Sequence, residues 1–289
     1  MKNTSHTYMP GTLIFLHIPK NAGRTFESIL KRQYAAEDIY DIYGYGNSIP
    51  RAVERLKNKP EEDKRKIKLI KGHYQFGLHR FLPQESSYIT FLRDPVRRVA
   101  SHYNYVVRDT NHPLNRTITE KKMSLAEYVS SGVSIELNNG QTRLLSGMNT
   151  KYPFGQCEKD LVDTALHNLR HHFETAGIVE QFDDSLAVMS LEFGWQWIYY
   201  LKKNVTPVSH IEDTLDRNTL SIIEKYNQYD LELYEYAQKK LSNKVLELGK
   251  DHDIRLRKLA MQNFCYKSYA FLPRMRAYLK RVKEKFISS

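Results

Sequence analysis

Thr12-Leu-Ile-Phe-Leu-His-Ile18 runs for seven residues without polar alternation, and no other stretch limits the fold so strongly. A strand that is apolar on both faces must be covered on both, as in a parallel sheet sandwiched between helices. The next residues agree with that. Pro19-Lys20-Asn21-Ala22-Gly23 is a small-residue turn, and Arg24 to Tyr34 has helical spacing. Lys68 to Gly72 and Tyr88 to Leu92 predict two more strands, and Asp94-Pro95 offers an N-cap and an N1 proline for a helix reaching about Val107. Two strand-turn-helix units so early in the chain imply a parallel α/β sheet.

Past Arg108 the periodicity is mostly helical, over Ser124 to Ser131, Glu158 to Phe173 and Asn218 to Leu248, with one further strand expected at Thr175 to Val179. The polar stretch Asp109 to Lys122 predicts an exposed loop. At 289 residues and 41% hydrophobic composition the chain can bury one full core, which excludes a disordered or fibrous class. No apolar stretch approaches the roughly 20 residues that span a bilayer. The first strand starts so close to Met1 that no signal peptide is expected, and the only two cysteines, Cys157 and Cys265, make no disulfide framework. A cytoplasmic protein is the expectation.

The formal charge is +11, and residues 250–289 contribute about +8 of it through eleven basic and three acidic side chains. We therefore expect a main domain over residues 1–250 and a basic helical extension over 251–289. That extension alternates aromatic and basic residues, so it suits either packing on the domain or peripheral association with an anionic membrane surface. A site for specific nucleic acid is not indicated.

The turn after the first strand carries the strongest chemical signal. A buried strand running through small residues into a helix aims backbone N–H groups and a positive helix end at one place, as phosphate sites do. Lys20 adds a full charge there and Thr25 a hydroxyl. The spacing G-x-x-x-x-G-K-[ST] is absent, and the lysine precedes the glycine, which disfavours a Mg²⁺-dependent NTPase. Arg93 ends the strand Tyr88 to Leu92, and Ser101 lies two helical turns farther on. An arginine fork and a serine hydroxyl can clamp a second phosphate, although Arg93-Asp94 alone also reads as a strand-end ion pair. The expected fold is α/β, a P-loop-like parallel sheet flanked by helices with a mostly helical C-terminal half, its nucleotide site at the carboxyl ends of the strands.

Leu16-His-Ile-Pro-Lys-Asn-Ala-Gly-Arg-Thr-Phe26 together with Ile89-Thr-Phe-Leu-Arg-Asp-Pro-Val-Arg-Arg-Val-Ala-Ser-His-Tyr103 strongly resembles the donor-binding segments of sulfotransferases that use 3′-phosphoadenosine-5′-phosphosulfate (PAPS). The branch it is most similar to is the bacterial relatives of heparan-sulfate 2-O- and 6-O-sulfotransferases. Gly72-His73, Asn139-Gly-Gln-Thr-Arg143 and Gly177-Ile-Val-Glu-Gln181 extend the resemblance, which covers roughly Thr12 to Tyr236. It implies that Lys20, Asn21, Ala22, Gly23, Arg24 and Thr25 bind the 5′-phosphosulfate end of PAPS, and that Arg93 and Ser101 bind its 3′-phosphate. It also implies in-line sulfuryl transfer to a hydroxyl, with a glycan as the expected acceptor and no metal. The turn departs from the family's usual Lys-Thr-Ala/Gly-Gly-Thr-Thr at Asn21 and Arg24. Lys203 to His210 matches a loop that approaches the nucleotide in relatives, without an arginine often found there.

A sugar hydroxyl needs a general base near neutral pH, and histidine has the suitable pKa. His73 is the candidate, because it matches the glycine-histidine element that carries the base in the 2-O relatives. Lys20 is the partner that stabilises charge on the leaving group. His79, six residues on, and an unassigned Glu or Asp are the competing bases, and His17 reads as a strand histidine with a core role. His171 and His172 have no partner at metal-ligand spacing. Asn139 to Arg143 suits either glycan recognition or a solvated helix start, and Tyr40, Tyr43 and Tyr45 suit either sugar stacking or a packed loop. Two rival functions stay open: a nucleotide kinase using the same turn for ATP, and a non-enzymatic polyanion-binding protein.

Overall fold

The computed structural model describes residues 11–44, 47–201 and 215–287, with side chains as far as Tyr269. Five strands, β1 (Thr12–Leu16), β2 (Ile39–Ile42), β3 (Leu69–Gly72), β4 (Ser86–Leu92) and β5 (Phe173–Ile178), form one sheet in the order β2-β3-β1-β4-β5. Every pairing is parallel. β1 shows why the opening run is apolar throughout: Ile14 and Leu16 enter one core, Leu13 and Phe15 the other, and all are buried.

The first core lies under α2 (Ser48–Lys57), α8 (Lys159–His171) and α11 (Gln228–Leu248), through Ala52, Leu56, Leu169, Leu233 and Leu241. The second lies under α1 (Gly23–Gln33), α9 (Phe182–Glu192) and α12 (Lys250–Ile287), through Phe26, Ile29, Leu186, Met189 and Leu259. A third cluster joins α4 (Pro95–Arg108), α6 (Leu125–Ser130) and α10 (Arg217–Tyr226) around Val99, Tyr128 and Ile223. The short helices α3 (Glu61–Arg65), α5 (Asn115–Glu120) and α7 (Gly140–Ser146) complete the described helices. The expected α/β fold with a parallel sheet and a helical C-terminal half is what the chain adopts.

Local chemistry fixes the helix starts. Asp94 accepts a hydrogen bond from the Arg97 N–H at 2.9 Å with Pro95 at the first helical position, and Ser124 and Glu127 close a reciprocal capping box on α6. Two expectations are corrected. Asp109 to Lys122 is not simply an exposed loop: it contains α5, whose Ile118 enters the third cluster and whose Asn115 side chain donates to the Val106 and Val107 carbonyls at the end of α4. The stretch from Asn218 to Leu248 is two helices, α10 and α11, broken at Asn227, whose amide donates to Leu137 and Ile223 carbonyls. β2 was hidden in the tyrosine patch: Tyr40 lies on it and donates to the Ala52 carbonyl, while Tyr45 falls outside the described residues.

Candidate active site

The order of strands places β1 between β3 and β4, so the chain reverses its direction of travel across the sheet at β1. Open α/β sheets bind ligands at the carboxyl ends flanking such a point. Three segments converge there: the turn after β1, His73 after β3 and Arg93 after β4.

Lys20 (φ 73°) and Ala22 (φ 57°) both take left-handed backbone conformations in the turn. Such conformations cost non-glycine residues about 1–3 kcal/mol, so the surroundings must enforce them. Asn21 does part of that. Its side chain is buried and donates 2.7 Å hydrogen bonds to the Phe91 carbonyl on β4 and to Gln141 Oε1. The Asn21 side chain thus faces the protein and not the cleft side of the turn. Gly23 and Arg24 open α1, where N–H groups lack intrahelical acceptors and no side chain caps them. Arg24 is exposed and Thr25 half-buried at the same helix end.

Lys20 Nζ stands 4.0 Å over the Tyr105 ring. Burial first, then the charges of Arg93, Arg108, Arg24 and Arg98, push its pKa down to about 8. Five cationic groups therefore crowd one place. Arg93 ties the second segment to the first, because its Nη1 donates to the Lys20 carbonyl at 3.0 Å. Glu180, after β5, lies 3.8 Å from Arg93 Nε, accepts the Asp94 N–H and accepts the Tyr234 hydroxyl. Arg93 Nε and the Nε and Nη2 of fully buried Arg98 have no hydrogen-bond partner among the described residues. Both guanidinium groups are shielded from solvent at these atoms and lie beside carboxylates, Arg93 Nε at 3.8 Å from Glu180 and Arg98 Nη2 at 3.8 Å from Glu136, so they add fixed positive charge behind the turn. Ser101 shares the face of α4 that carries Arg98 and Tyr105, by helical spacing.

Asn139 to Arg143 is neither solvated nor a free recognition surface. Gln141 is completely buried; its Oε1 accepts from Asn21 and from the Arg93 N–H, and its Nε2 donates to the Arg93 carbonyl at 2.8 Å. One side chain thus grips both segments. Asp230 on α11 holds the start of α7 in turn, accepting from the Gln141 and Thr142 N–H groups and the Thr142 hydroxyl, and Asn139 accepts from the Tyr229 and Asp230 N–H groups. Arg143 points inward to carbonyls of Asn138, Asn149, Tyr152 and Pro153.

His73 follows β3, its N–H donating to the Ile42 carbonyl. Its Nδ1 lies 2.9 Å from the His17 carbonyl. A carbonyl only accepts, so Nδ1 carries the hydrogen and Nε2 holds the lone pair of the neutral ring. Burial holds the His73 pKa below the ordinary histidine value, against the opposing effects of the His17 carbonyl and the Glu136 and Glu27 charges. The ring packs on His17 at 4.3 Å and meets the Tyr43 ring edge-on at 5.0 Å. His17 is buried, hydrogen-bonded to the Tyr43 hydroxyl at 3.1 Å, and held neutral, first by burial and then by the charges around it. Its ring lies directly against Gly23, where a Cβ would collide with Nε2.

His79 sits elsewhere. It bonds to the Tyr88 hydroxyl and stacks at 4.9 Å on His172, the residue before β5, which places it toward the amino ends of the strands. The histidines six residues apart thus occupy opposite ends of the sheet. Among the described residues, no group of three or more His, Cys, Asp and Glu side chains is placed to hold a metal ion. The loop Lys203 to His210 lies outside the described residues.

The galactose-3-O-sulfotransferase family model matches residues 5–272. The chain belongs to that family. The expected sulfotransferase resemblance is borne out. Among curated proteins, heparan-sulfate 6-O-sulfotransferase 2 of Gallus gallus is 26% identical over 275 residues, covering 78% of this chain and 66% of the relative. Heparan-sulfate 6-O-sulfotransferase 1 of Homo sapiens is 26% identical over 182 residues, covering 54% and 43%. A protein-tyrosine sulfotransferase of Arabidopsis thaliana is 34% identical over 96 residues, covering 33% and 17%. The chain thus spans two thirds or less of the length of these sulfotransferases. Among the described residues, no helix is long and apolar enough to cross a membrane.

Sequence reasoning had already named Lys20, Arg93 and His73. It did not find the grip of Gln141, whose segment suited either glycan recognition or a solvated helix start, or the placement of Arg98 and Tyr105. Their spacing with Ser101 along α4 was the available signal.

Proposed function

We propose that this sulfotransferase-family protein moves a sulfuryl group from PAPS to a carbohydrate hydroxyl, with His73 as general base and Lys20 as the group that stabilises charge on the leaving oxygen. The observation that carries the reading is the 3.0 Å bond from Arg93 to the Lys20 carbonyl, which makes the two anion-binding segments one site. PAPS supplies an activated sulfuryl group beside its 5′-phosphate. The turn from Lys20 to Thr25 holds that end, and Arg93 and Ser101 hold the 3′-phosphate. Catalysis of this kind is positioning and charge stabilisation, as in phosphoryl transfer. His73 Nε2 takes the acceptor's proton as its oxygen bonds to sulfur and the sulfur–oxygen bond to the donor breaks.

Division into a transferase domain over 1–250 and an extension over 251–289 belongs to the same reading. The start of α12 is docked by Gln262, which accepts the Ile198 N–H and donates to the Gln196 carbonyl, and by Asn263, which accepts the Tyr200 N–H. Ile254, Met261, Phe264 and Tyr269 stay exposed on it and suit a lipid surface. The deciding experiment is incubation with ³⁵S-labelled PAPS and a panel of glycans, lipids, phenols and tyrosyl peptides. Label entering a glycan is expected. Label entering only tyrosyl peptides overturns the acceptor, and tight heparin binding with no label and no affinity for adenosine 3′,5′-bisphosphate overturns the whole reading.

A further inference from the structure

The face of α4 that meets the Lys20 turn continues beyond it. Nζ of Lys20 sits over Tyr105; Tyr105 meets His112 edge-on at 5.6 Å, and His112 meets His102 edge-on at 6.0 Å. His102 Nε2 then lies 3.6 Å from Glu136 Oε2. Glu136 ends this strip of side chains and is fixed from two directions. Its backbone carbonyl accepts Arg98 Nη1 at 2.8 Å, and its Oε2, out of reach of solvent, lies 3.8 Å from Arg98 Nη2. Yet the side chain is 41% exposed. One carboxylate oxygen is therefore enclosed beside Arg98 and His102, with no hydrogen bond among the described residues, and the other is open.

The strip has two unlike ends. Lys20, Arg24, Arg93 and Arg108 gather at one, suited to an anionic donor, and Glu136 closes the other. Between them lie the half-buried rings of Tyr105 and His112, set edge-on to each other, whose exposed edges an acceptor sugar can meet. We propose that Glu136 is a specificity-determining residue for the acceptor: its open oxygen accepts a hydrogen bond from a second hydroxyl of the acceptor sugar and turns away a sugar bearing a carboxylate or sulfate there. A carboxylate only accepts, so it pairs with a hydroxyl and repels another anion, and such repulsion is an effective source of selectivity. The inference rests on the reading of Lys20 and His73 as the reacting site.

The test reads binding. Protein saturated with adenosine 3′,5′-bisphosphate is titrated calorimetrically with neutral β-galactoside and glucoside disaccharides, and with counterparts carrying a carboxylate or sulfate on the same ring. The wild type should bind at least one neutral sugar about tenfold or more tighter than its anionic counterparts, and Glu136→Gln should narrow that ratio to about threefold by strengthening the anionic sugars. No preference in the wild type, no binding of any sugar, or an unchanged ratio in a folded Glu136→Gln protein overturns the inference. Should Glu136→Gln fail to fold, the wild-type preference decides alone. A narrowed ratio without any labelled transfer would retain Glu136 as a sugar selector and overturn the proposed reaction.

Discussion

The guanidinium of Arg93 donates to the main-chain carbonyl of Lys20, so a residue at the end of β4 holds the backbone of the turn after β1. Arg93 thus steadies the strained turn, and under the proposed function it also meets the donor. Arg93→Ala should weaken adenosine 3′,5′-bisphosphate by about 1.5–3 kcal/mol, the worth of a charge-assisted bond. Adenosine 5′-phosphate should lose less, through the loosened turn alone. Equal affinity of wild type and variant for both nucleotides, measured by calorimetry, would remove Arg93 from the site.

Lys20, with its pKa pushed down to about 8, is partly deprotonated in the donor-free protein at mildly alkaline pH. An arriving anion favours the charged form. Bisphosphate binding should therefore take up protons above about pH 8 and weaken as pH rises through that value, an effect that calorimetry in buffers of different ionisation enthalpy reads directly. Lys20→Ala should abolish the proton uptake and nearly all turnover, with little change in melting temperature.

His73→Ala should lose about 10²–10⁴-fold in kcat while keeping near-normal donor affinity, since a base acts on the acceptor. Because the His73 pKa is held below its ordinary value, activity should persist through neutral pH and fall only on acidification below about 6.5, as Nε2 becomes protonated. His79→Ala, altered at the other end of the sheet, should leave both kcat and its pH profile unchanged. A dead His79→Ala with an active His73→Ala would reverse the assignment.

Gln141→Leu keeps volume but leaves the Arg93 N–H, the Arg93 carbonyl and the Asn21 amide short of partners. It should raise KM for the donor, and lower the melting temperature by an amount corresponding to about 1–3 kcal/mol. If the folded variant binds the donor normally, the two segments are held by other means.

Gly23→Ala drives a methyl into the His17 ring and should cost about 2 kcal/mol or more. Removing the ring relieves the clash, so His17→Ala should cost less beside Gly23→Ala than on its own. Strict additivity in denaturant melts would show that the two residues do not press on each other.

How far the sequence could be read depended on where each bond partner lay. β1, the turn and α4 were legible because their signals are local: an apolar run, small residues, and an aspartate-proline cap. β2 was not, since Ile39–Ile42 is a four-residue edge strand whose Asp41 remains exposed. Lys20 and Arg93 were legible as types of residue, but the bond between them spans 73 positions and leaves no trace in either motif. Asn139 to Arg143 misled for the same reason. Amides and guanidinium groups that would bind a glycan on the surface serve here as buried ties to Asn21, Arg93 and the carbonyls of Asn138 to Pro153.

The hold of Asp230 on α7 sets an order of events during synthesis. Turn, base and arginine have all been joined to the chain by the time residue 93 is made. Gln141 grips two of them, but α7 is itself anchored by a carboxylate 89 residues later in the chain. A growing chain that stops short of α11 therefore carries every proposed reacting group and lacks their brace. Chains usually acquire structure from the N-terminus as they emerge, so competence to bind nucleotide should appear late and abruptly, once Asp230 is in place, and not in step with the residues that touch the ligand.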